Sequence, residues 1–255
     1  MAVMIGSARI NEKNSLLNGK AGDQTGKEVG TQTWYKHSKG WVVIRAKDPN
    51  VRKKIAYAMK AACDNNNIGY GQDAGSGNNS RLGLFNAVKS KGYDPAKCNV
   101  AVNTDCSETV RVCVHYAGIT CGDFNTSGEK SVLQNTGKFE VLTASKYTDS
   151  SDYLLAGDIL VTKTKGHTVV VLSDGAKAVS KPTLANYTVK QGSTGTNARN
   201  LQSDLNYIMN AGLEVDGKFG PKSVAALKSW QKKYGLTADG CYGPASYKKM
   251  KELLA

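Results

Sequence analysis

The chain has 255 residues, 40% hydrophobic and 22% charged, so it can bury one large core or two modest ones and is not broadly disordered. Its 34 Lys and Arg against 21 Asp and Glu leave a net charge of +13, which calls for an anionic partner such as nucleic acid, a membrane surface or a cell wall. No apolar run of about 18 residues occurs, which excludes a membrane-spanning helix, and Met1–Arg9 lacks the basic and apolar segments of a secretory leader.

The first half reads as helices separated by polar loops. From Pro49 to Ala62, Val51, Ile55, Met59 and Ala62 recur at helical spacing, with Arg52, Lys53, Lys54 and Lys60 mostly on other faces. Leu82, Phe85, Ala87 and Val88 repeat the pattern between Ser80 and Ser90, and Gly92 closes that helix. The intervening Gly69–Asn79 is rich in Gly, Asn and Ser. No strand is expected before it and no Gly-Lys-Ser/Thr follows it, so it is a loop and not a phosphate cradle. A third helix is predicted from Asp105 to Tyr116. The period then becomes that of strands, Phe139–Leu142, Asp158–Thr162 and His167–Leu172, the last two joined by the hairpin-sized Lys163-Thr164-Lys165-Gly166. Asp174-Gly175 is a strong turn signal and predicts a further strand to about Ser180. Helices followed by an antiparallel sheet define an α+β domain over residues 1–182.

A linker (183–196) leads to a small all-α domain (197–255) built on an internal repeat. Val215-Asp216-Gly217-Lys218-Phe219-Gly220-Pro221-Lys222-Ser223 returns as Ala238-Asp239-Gly240-Cys241-Tyr242-Gly243-Pro244-Ala245-Ser246. Each copy holds an Asp-Gly turn, an aromatic, a Gly-Pro step and a Ser suited to cap the next helix. Three helices are predicted, Leu201–Met209, Ser223–Tyr234 and Ser246–Leu254, with Leu201, Leu205, Val224, Leu227, Trp230 and Leu253 as their core. The charge is spread: 10 Lys/Arg against 5 Asp/Glu from Asn186 onward give +5, and 24 against 16 before it give +8. No block of five like charges appears, which argues against a nucleic-acid arm. Lys232-Lys233 and Lys248-Lys249 read as solvated helix faces.

Six cysteines (Cys63, Cys98, Cys106, Cys113, Cys121 and Cys241) contain no C-x-x-C, and the three histidines are far apart, so no zinc grammar is present. Reduced thiols are the default in so large a chain. Asp105 followed three residues on by Glu108 is a capping-box variant that makes Asp105 the N-cap and Cys106 the first helical residue. The helix start favours thiolate there and lowers the pKa, so Cys106 is either a nucleophile or a buried structural thiol. Cys113 shares a face with Val110, Val114 and Ala117 and reads as buried. His115 lies about 13 Å along the same helix from Cys106 and out of phase with it, too far to serve as its base. His37 falls in a loop-like stretch and reads as exposed. His167 opens an apolar strand directly after a glycine, a place where a cysteine–histidine pair can meet.

Asp105-Cys106-Ser107, Gly157-Asp158-Ile159-Leu160 and Gly166-His167-Thr168-Val169-Val170-Val171 together resemble, in order and spacing, the NlpC-type and CHAP-type papain-like peptidoglycan hydrolases. The tail is similar to the three-helix peptidoglycan-binding module of wall hydrolases and phage endolysins. The resemblance implies a papain-like domain, helices packed on an antiparallel sheet, with Cys106 as nucleophile, His167 as base and no metal or other cofactor. The family's third polar residue lies about twelve positions after the histidine. Val179 stands there, Ser180 is adjacent, and Asp174 in the preceding turn is carried as the orienting residue. A Glu replaces the glycine that usually follows Asp-Cys-Ser. Tyr70 resembles the aromatic in the family's cleft, and Gln72 and Gln24 are substrate-side candidates, as oxyanion donors or as loop stabilisers. The implied activity is cleavage of a stem-peptide amide, first as a γ-D-glutamyl–diamino-acid endopeptidase and alternatively as an N-acetylmuramoyl-L-alanine amidase. A non-catalytic wall-binding protein is the alternative of another class. Peptidoglycan, with other anionic wall polymers, is the implied partner of a monomer that binds neither nucleic acid nor membrane. Without a leader, the chain fits a phage or prophage endolysin held in the host cytoplasm before lysis, or a leaderless bacterial hydrolase.

Overall fold

A computed structural model describes residues 2–176, 185–209 and 211–254 of the chain, which divides into two compact units, residues 1–178 and 179–255. The domain boundary expected at Pro182, and Val179 and Ser180 on the further strand, lie outside the described residues; Asp174 to Ala176 are not strand.

The first unit opens on three strands that the sequence reading took for loops: β1 (Met4–Ala8), β2 (Val29–Thr33) and β3 (Trp41–Ala46). Gly30, Thr31 and Gln32 in β2 give no apolar alternation, so period counting passes over it. Helix α1 (Pro49–Cys63) starts as expected, with Asp48 accepting from Asn50 N and Pro49 in the first turn. Strand β4 (Ile68–Tyr70) follows, where no strand was expected and the loop was expected to begin at Gly69, then α2 (Gly83–Val88), shorter than predicted because Lys89–Lys91 tighten into a 3-10 turn before Gly92 at φ +72°. Strand β5 (Val102–Thr104) pairs in parallel with β4 and runs into α3 (Cys106–Tyr116). Helix α4 (Glu129–Asn135) was not predicted. Strand β6 (Phe139–Leu142), the single turn α5 (Ser145–Thr148), β7 (Ile159–Thr162) and β8 (Thr168–Val171) complete the unit.

The main sheet has the order β2-β1-β8-β7-β3-β6 and every pair in it is antiparallel, as the α+β reading requires. Strict alternation separates its two faces. Ile44, Ile159, Val161 and Val170 pack with Ile55, Met59, Val110 and Cys113 from α1 and α3. Trp41, Val43, Leu160, Val169 and Val171 pack with Val3, Ile5 and Leu154 on the other side. Each of these fully buried side chains contributes about 1.5–3 kcal/mol. The Gly157-Asp158 step has a structural reason: a Cβ on Gly157 would sit 2.1 Å from Arg52 O, and buried Asp158 accepts from Arg45 Nε (2.8 Å) and Nη2 (2.6 Å).

The second unit contains α6 (Thr196–Met209), α7 (Pro221–Lys233) and α8 (Pro244–Leu254). Part of the expected linker belongs to it: Val189, 1% exposed, bridges to Tyr242, and Thr194 bridges to Lys218. The last two helices begin at the prolines of the Gly-Pro steps, where the fixed φ and missing N–H suit the first helical position. Ser223 and Ser246 are therefore not caps. Their hydroxyls accept from Gln202 Nε2 (3.2 Å) and Gln231 Nε2 (3.4 Å). Each glutamine also donates to the turn aspartate, Asp216 or Asp239, and accepts from the following glycine amide, so one clamp is built twice. Leu201, Leu205, Leu227 and Trp230 form the core as expected, with Phe219, Tyr242 and Met250. Val224 is only partly buried, and Leu253, placed in the core from sequence, is 41% exposed.

Candidate functional site

The position of Cys106 is fixed locally. Asp105 keeps an extended backbone while its carboxylate accepts from Glu108 N (2.7 Å) and the Ser107 hydroxyl (2.8 Å), so Cys106 is the first residue of α3, as the capping spacing predicts. Tyr70 is in register with Thr104 across the β4–β5 pair, which brings its phenol to the start of the helix and into electrostatic range of Cys106. Burial, first, and the nearby thiol raise the phenol's pKa. Gln72 Nε2 donates to Tyr70 Oη (2.6 Å). Cys106, Gln72, Arg81, Asp123 and Gly166 line a cleft of about 460 Å³.

Arg81 holds this wall together and was not singled out from sequence. It donates to Asp105 (2.9 Å), to Glu108 (3.2 Å) and, with two nitrogens, to Asp123 (2.9 and 2.8 Å). Glu108, fully buried, also accepts from Arg111 (3.0 Å), yet desolvation outweighs both cations and pushes its carboxyl up to about 7. Spacing alone offers no signal for Arg81, because its partners lie more than twenty residues away.

The thiol does not behave as a helix start predicts. Cys106 is 4% exposed, and burial, reinforced by Asp105 and Glu129, pushes it up to about 12. The amides of Thr168 and Ser107 point at the sulfur and act in the other direction, but desolvation wins, so the expected lowering is corrected. Cys113, by contrast, is buried as expected.

His167 directly precedes β8. Its amide donates to Thr162 Oγ1 (3.0 Å) and its carbonyl accepts from Thr162 N (3.0 Å). The Thr168 amide at the Cys106 sulfur thus joins the start of β8 to the start of α3. Alternation sends Thr168 and Val170 toward the helices and puts the Cβ of His167 on the face of Val169 and Val171. Burial, and then the positive groups His37 and Arg9, push the imidazole down to about 4, so it is neutral at pH 7.

The other candidates fall elsewhere. Asp174 is seven residues beyond His167 at the far end of an extended strand, about 20 Å away. Its carboxylate accepts from Ala156 N (2.8 Å), which rules it out as the orienting residue. Gln24 stays in its own loop, donating to Ala21 O (3.1 Å) and Gly22 O (3.0 Å), and does not line the cleft. That loop is pressed against β4: a Cβ on Gly69 would lie 2.3 Å from Gly22 O. His37 is half-buried rather than exposed, its ring edge-on to Trp41 at 5.1 Å. His115 is a satisfied structural histidine, 3.1 Å from Cys121 O and packed on Tyr93 and Phe85.

Glu129 is the second residue that the sequence did not reveal. It opens α4, is 0% exposed, and lies beside Cys106 with its carboxyl against the Thr168 hydroxyl (2.7 Å). An acidic residue in a first helical turn is so ordinary that nothing in the sequence marks this one.

Comparison with known families matches residues 5–178 to the endolysin-like domain and residues 194–250 to the family described as "Putative peptidoglycan binding domain". The first match spans more than half of the chain, which belongs to the endolysin-like domain family. Among solved structures, the SleB N-terminal domain is 31% identical, covers 28% of this chain and 97% of its own, and gives a TM-score of 0.27. A peptidoglycan-binding protein from Clostridioides difficile, solved with glutamine hydroxamate, is 14% identical, with 84% of this chain and 94% of that chain covered and a TM-score of 0.26. No curated protein matches. The family matches give the chain a cell-wall lytic or binding role, with peptidoglycan as a partner.

Proposed function

We propose that the chain is a two-part cell-wall lysin of the NlpC-type or CHAP-type papain-like class, in which Cys106 attacks an amide carbonyl of the peptidoglycan stem peptide. The observation that carries this reading is the junction of α3 and β8, where the amide next to His167 points at the Cys106 sulfur on the wall of an open cleft. With the thiol pushed up to about 12 and the imidazole down to about 4, the resting groups are a thiol and a neutral imidazole on opposite faces of β8, so in this scheme the His167 ring turns about the start of the strand to reach the sulfur. His167 takes the thiol proton as sulfur bonds to the carbonyl carbon, and returns it to the leaving amine. Water then hydrolyses the thioester with His167 again as base. The Cys106 backbone N–H, in the unpaired first turn, and the second N–H of Gln72 Nε2 are the oxyanion donors of this scheme. The bond assigned is γ-D-glutamyl to diamino acid. The tail holds the enzyme on the wall, and the net charge of +13 draws it to an anionic envelope.

Burial of the thiol and the distance of Asp174 from the imidazole favour a second reading, a wall-binding protein without turnover. Digestion of purified peptidoglycan by wild type and Cys106→Ala, with mass spectrometry of the products, separates the two. A loss of at least about 10³-fold in the variant is expected, with new amino termini on the diamino acid. Free lactyl-muramic ends would indicate the amidase, equal lysis by both proteins would sink the cysteine mechanism, and no products from wild type would leave the binding reading.

A further inference from the structure

Glu129 occupies an unusual position for a carboxyl group. It is completely buried, its Oε2 has no hydrogen-bond partner, and its Oε1 lies 2.7 Å from Thr168 Oγ1. The same hydroxyl is 3.1 Å from Leu160 O. A hydroxyl carries one hydrogen. Thr168 serves both neighbours at once only when it donates to Leu160 O and accepts a proton donated by a neutral Glu129 carboxyl.

The surrounding groups favour that neutral form. Those that bear on Glu129 are Asp105 and Cys106 at the start of α3, Cys121 in the segment after it and Thr168 on β8. None of them is a cation. Burial, which outweighs the Thr168 bond, and the Asp105 charge push Glu129 up to about 8. An ionised Glu129 in turn opposes ionisation of Cys106.

We propose that Glu129 is a positioning residue for Cys106: as a neutral acid it fixes Thr168, whose amide points at the sulfur, and when it ionises it suppresses the thiolate. The inference rests on Cys106 being the nucleophile, and it adds that the alkaline limit of the reaction belongs to a buried carboxylic acid. The proton that leaves Glu129 at high pH goes to solvent, and no other bond changes.

The test is the rate at which iodoacetamide alkylates Cys106, followed on its own peptide by mass spectrometry from pH 6 to 10. The full chain is used as wild type, Glu129→Gln and Glu129→Ala. Glutamine is neutral, and its amide donates to Thr168 as the acid does. Glu129→Gln is expected to match wild type below pH 7 and to exceed it about 3- to 10-fold at pH 9, the effect of removing up to one pKa unit of repulsion. Glu129→Ala is expected to be slower than Glu129→Gln throughout, so that the conservative variant rescues it. Wild type alone supplies a second measurement: its rate, which would rise tenfold per pH unit for an isolated thiol, is expected to flatten between pH 7 and 9. Superimposed wild-type and glutamine profiles, alanine behaving as glutamine does, or an unbroken tenfold rise would each overturn the assignment. A split profile in a protein that releases no wall fragments would support the Glu129 assignment and overturn the hydrolase reading instead.

Discussion

The two units bury polarity in opposite ways. Around the start of α3 the first unit collects three buried carboxyls, Asp105, Glu108 and Glu129, with Arg81 as the cation shared by the first two. In the second unit Asp204 is the one buried carboxylate among the described residues, and the repeated device is neutral: Gln202 and Gln231 make matching bonds to an Asp-Gly turn and a helix-start serine. A neutral amide bonded to an ionised turn aspartate fixes a turn at nearly the same free energy at any pH above the carboxylate range, whereas a cluster of buried acids is costly and responsive near neutrality. Concentrated buried charge is therefore the mark of the unit with the candidate site, and duplicated neutral bonding is the mark of a scaffold.

The contrast is open to attack at its strongest point first. Arg81→Ala leaves Asp105 and Glu108 short of a partner and is expected to destabilise the first unit by about 3 kcal/mol, read as a lower denaturant midpoint. If the loss is below about 1 kcal/mol, the cluster is not held by that cation. Gln231→Leu removes one clamp and is expected to cost the second unit about 2 kcal/mol while the first unit's transition stays put. Coincident shifts in both transitions would end the description of two independent designs. Removing residues 186–255 is expected to lower affinity for intact walls roughly tenfold or more and to spare hydrolysis of soluble muropeptides, where tethering has no role. Undiminished wall binding would remove that role from the tail.

The smallest effect concerns pH. Glu129 has its folded pKa, about 8, above its ordinary value of 4.5, so its contribution is fully present below 4.5 and is lost as pH rises toward 8. His167, depressed from 6.5 to about 4, contributes in the opposite sense, but only below pH 6.5. Between pH 6.5 and 8 the first unit is therefore expected to lose about 1.5 kcal/mol that Glu129→Gln retains. The turn aspartates Asp216 and Asp239, whose pKa values are lowered by their hydrogen bonds, leave the second unit unchanged over that range. Equal slopes for wild type and Glu129→Gln would show that the buried acid does not titrate there.

What sequence reading delivers follows from how far the causes reach. The Asp105–Glu108 cap, the β7–β8 hairpin and the repeated Asp-Gly and Gly-Pro steps are set by neighbours a few residues apart, and each appears where its spacing put it. Strands β1 and β2 carry too little apolar alternation to announce themselves, and they become strands because β8 offers β1 an edge. The start of α3 was legible as a capped helix with Cys106 at its first position, but its electrostatics were not. A helix start lowers a thiol's pKa only when desolvation is small, and Cys106 is buried in surroundings to which Tyr70, Thr168 and Glu129 come from three separate elements. Asp174 failed for a reason that geometry supplies at once: a residue past the end of an extended strand cannot turn back to its beginning.

The β1–β8 ladder pairs Ile5 with Val171 and Gly6 with Val170 and then stops. Beyond it the Thr168 amide of β8, which the next rung would direct at β1, faces the Cys106 sulfur instead. Had the ladder continued, this backbone donor would be spent on a cross-strand bond. That corner of the molecule is thus a frayed seam, a place where two strands give up each other's company and a sulfur takes the vacated seat. Any change that zips the seam shut by one more pair would take the amide from the sulfur without touching a single side chain of the candidate site.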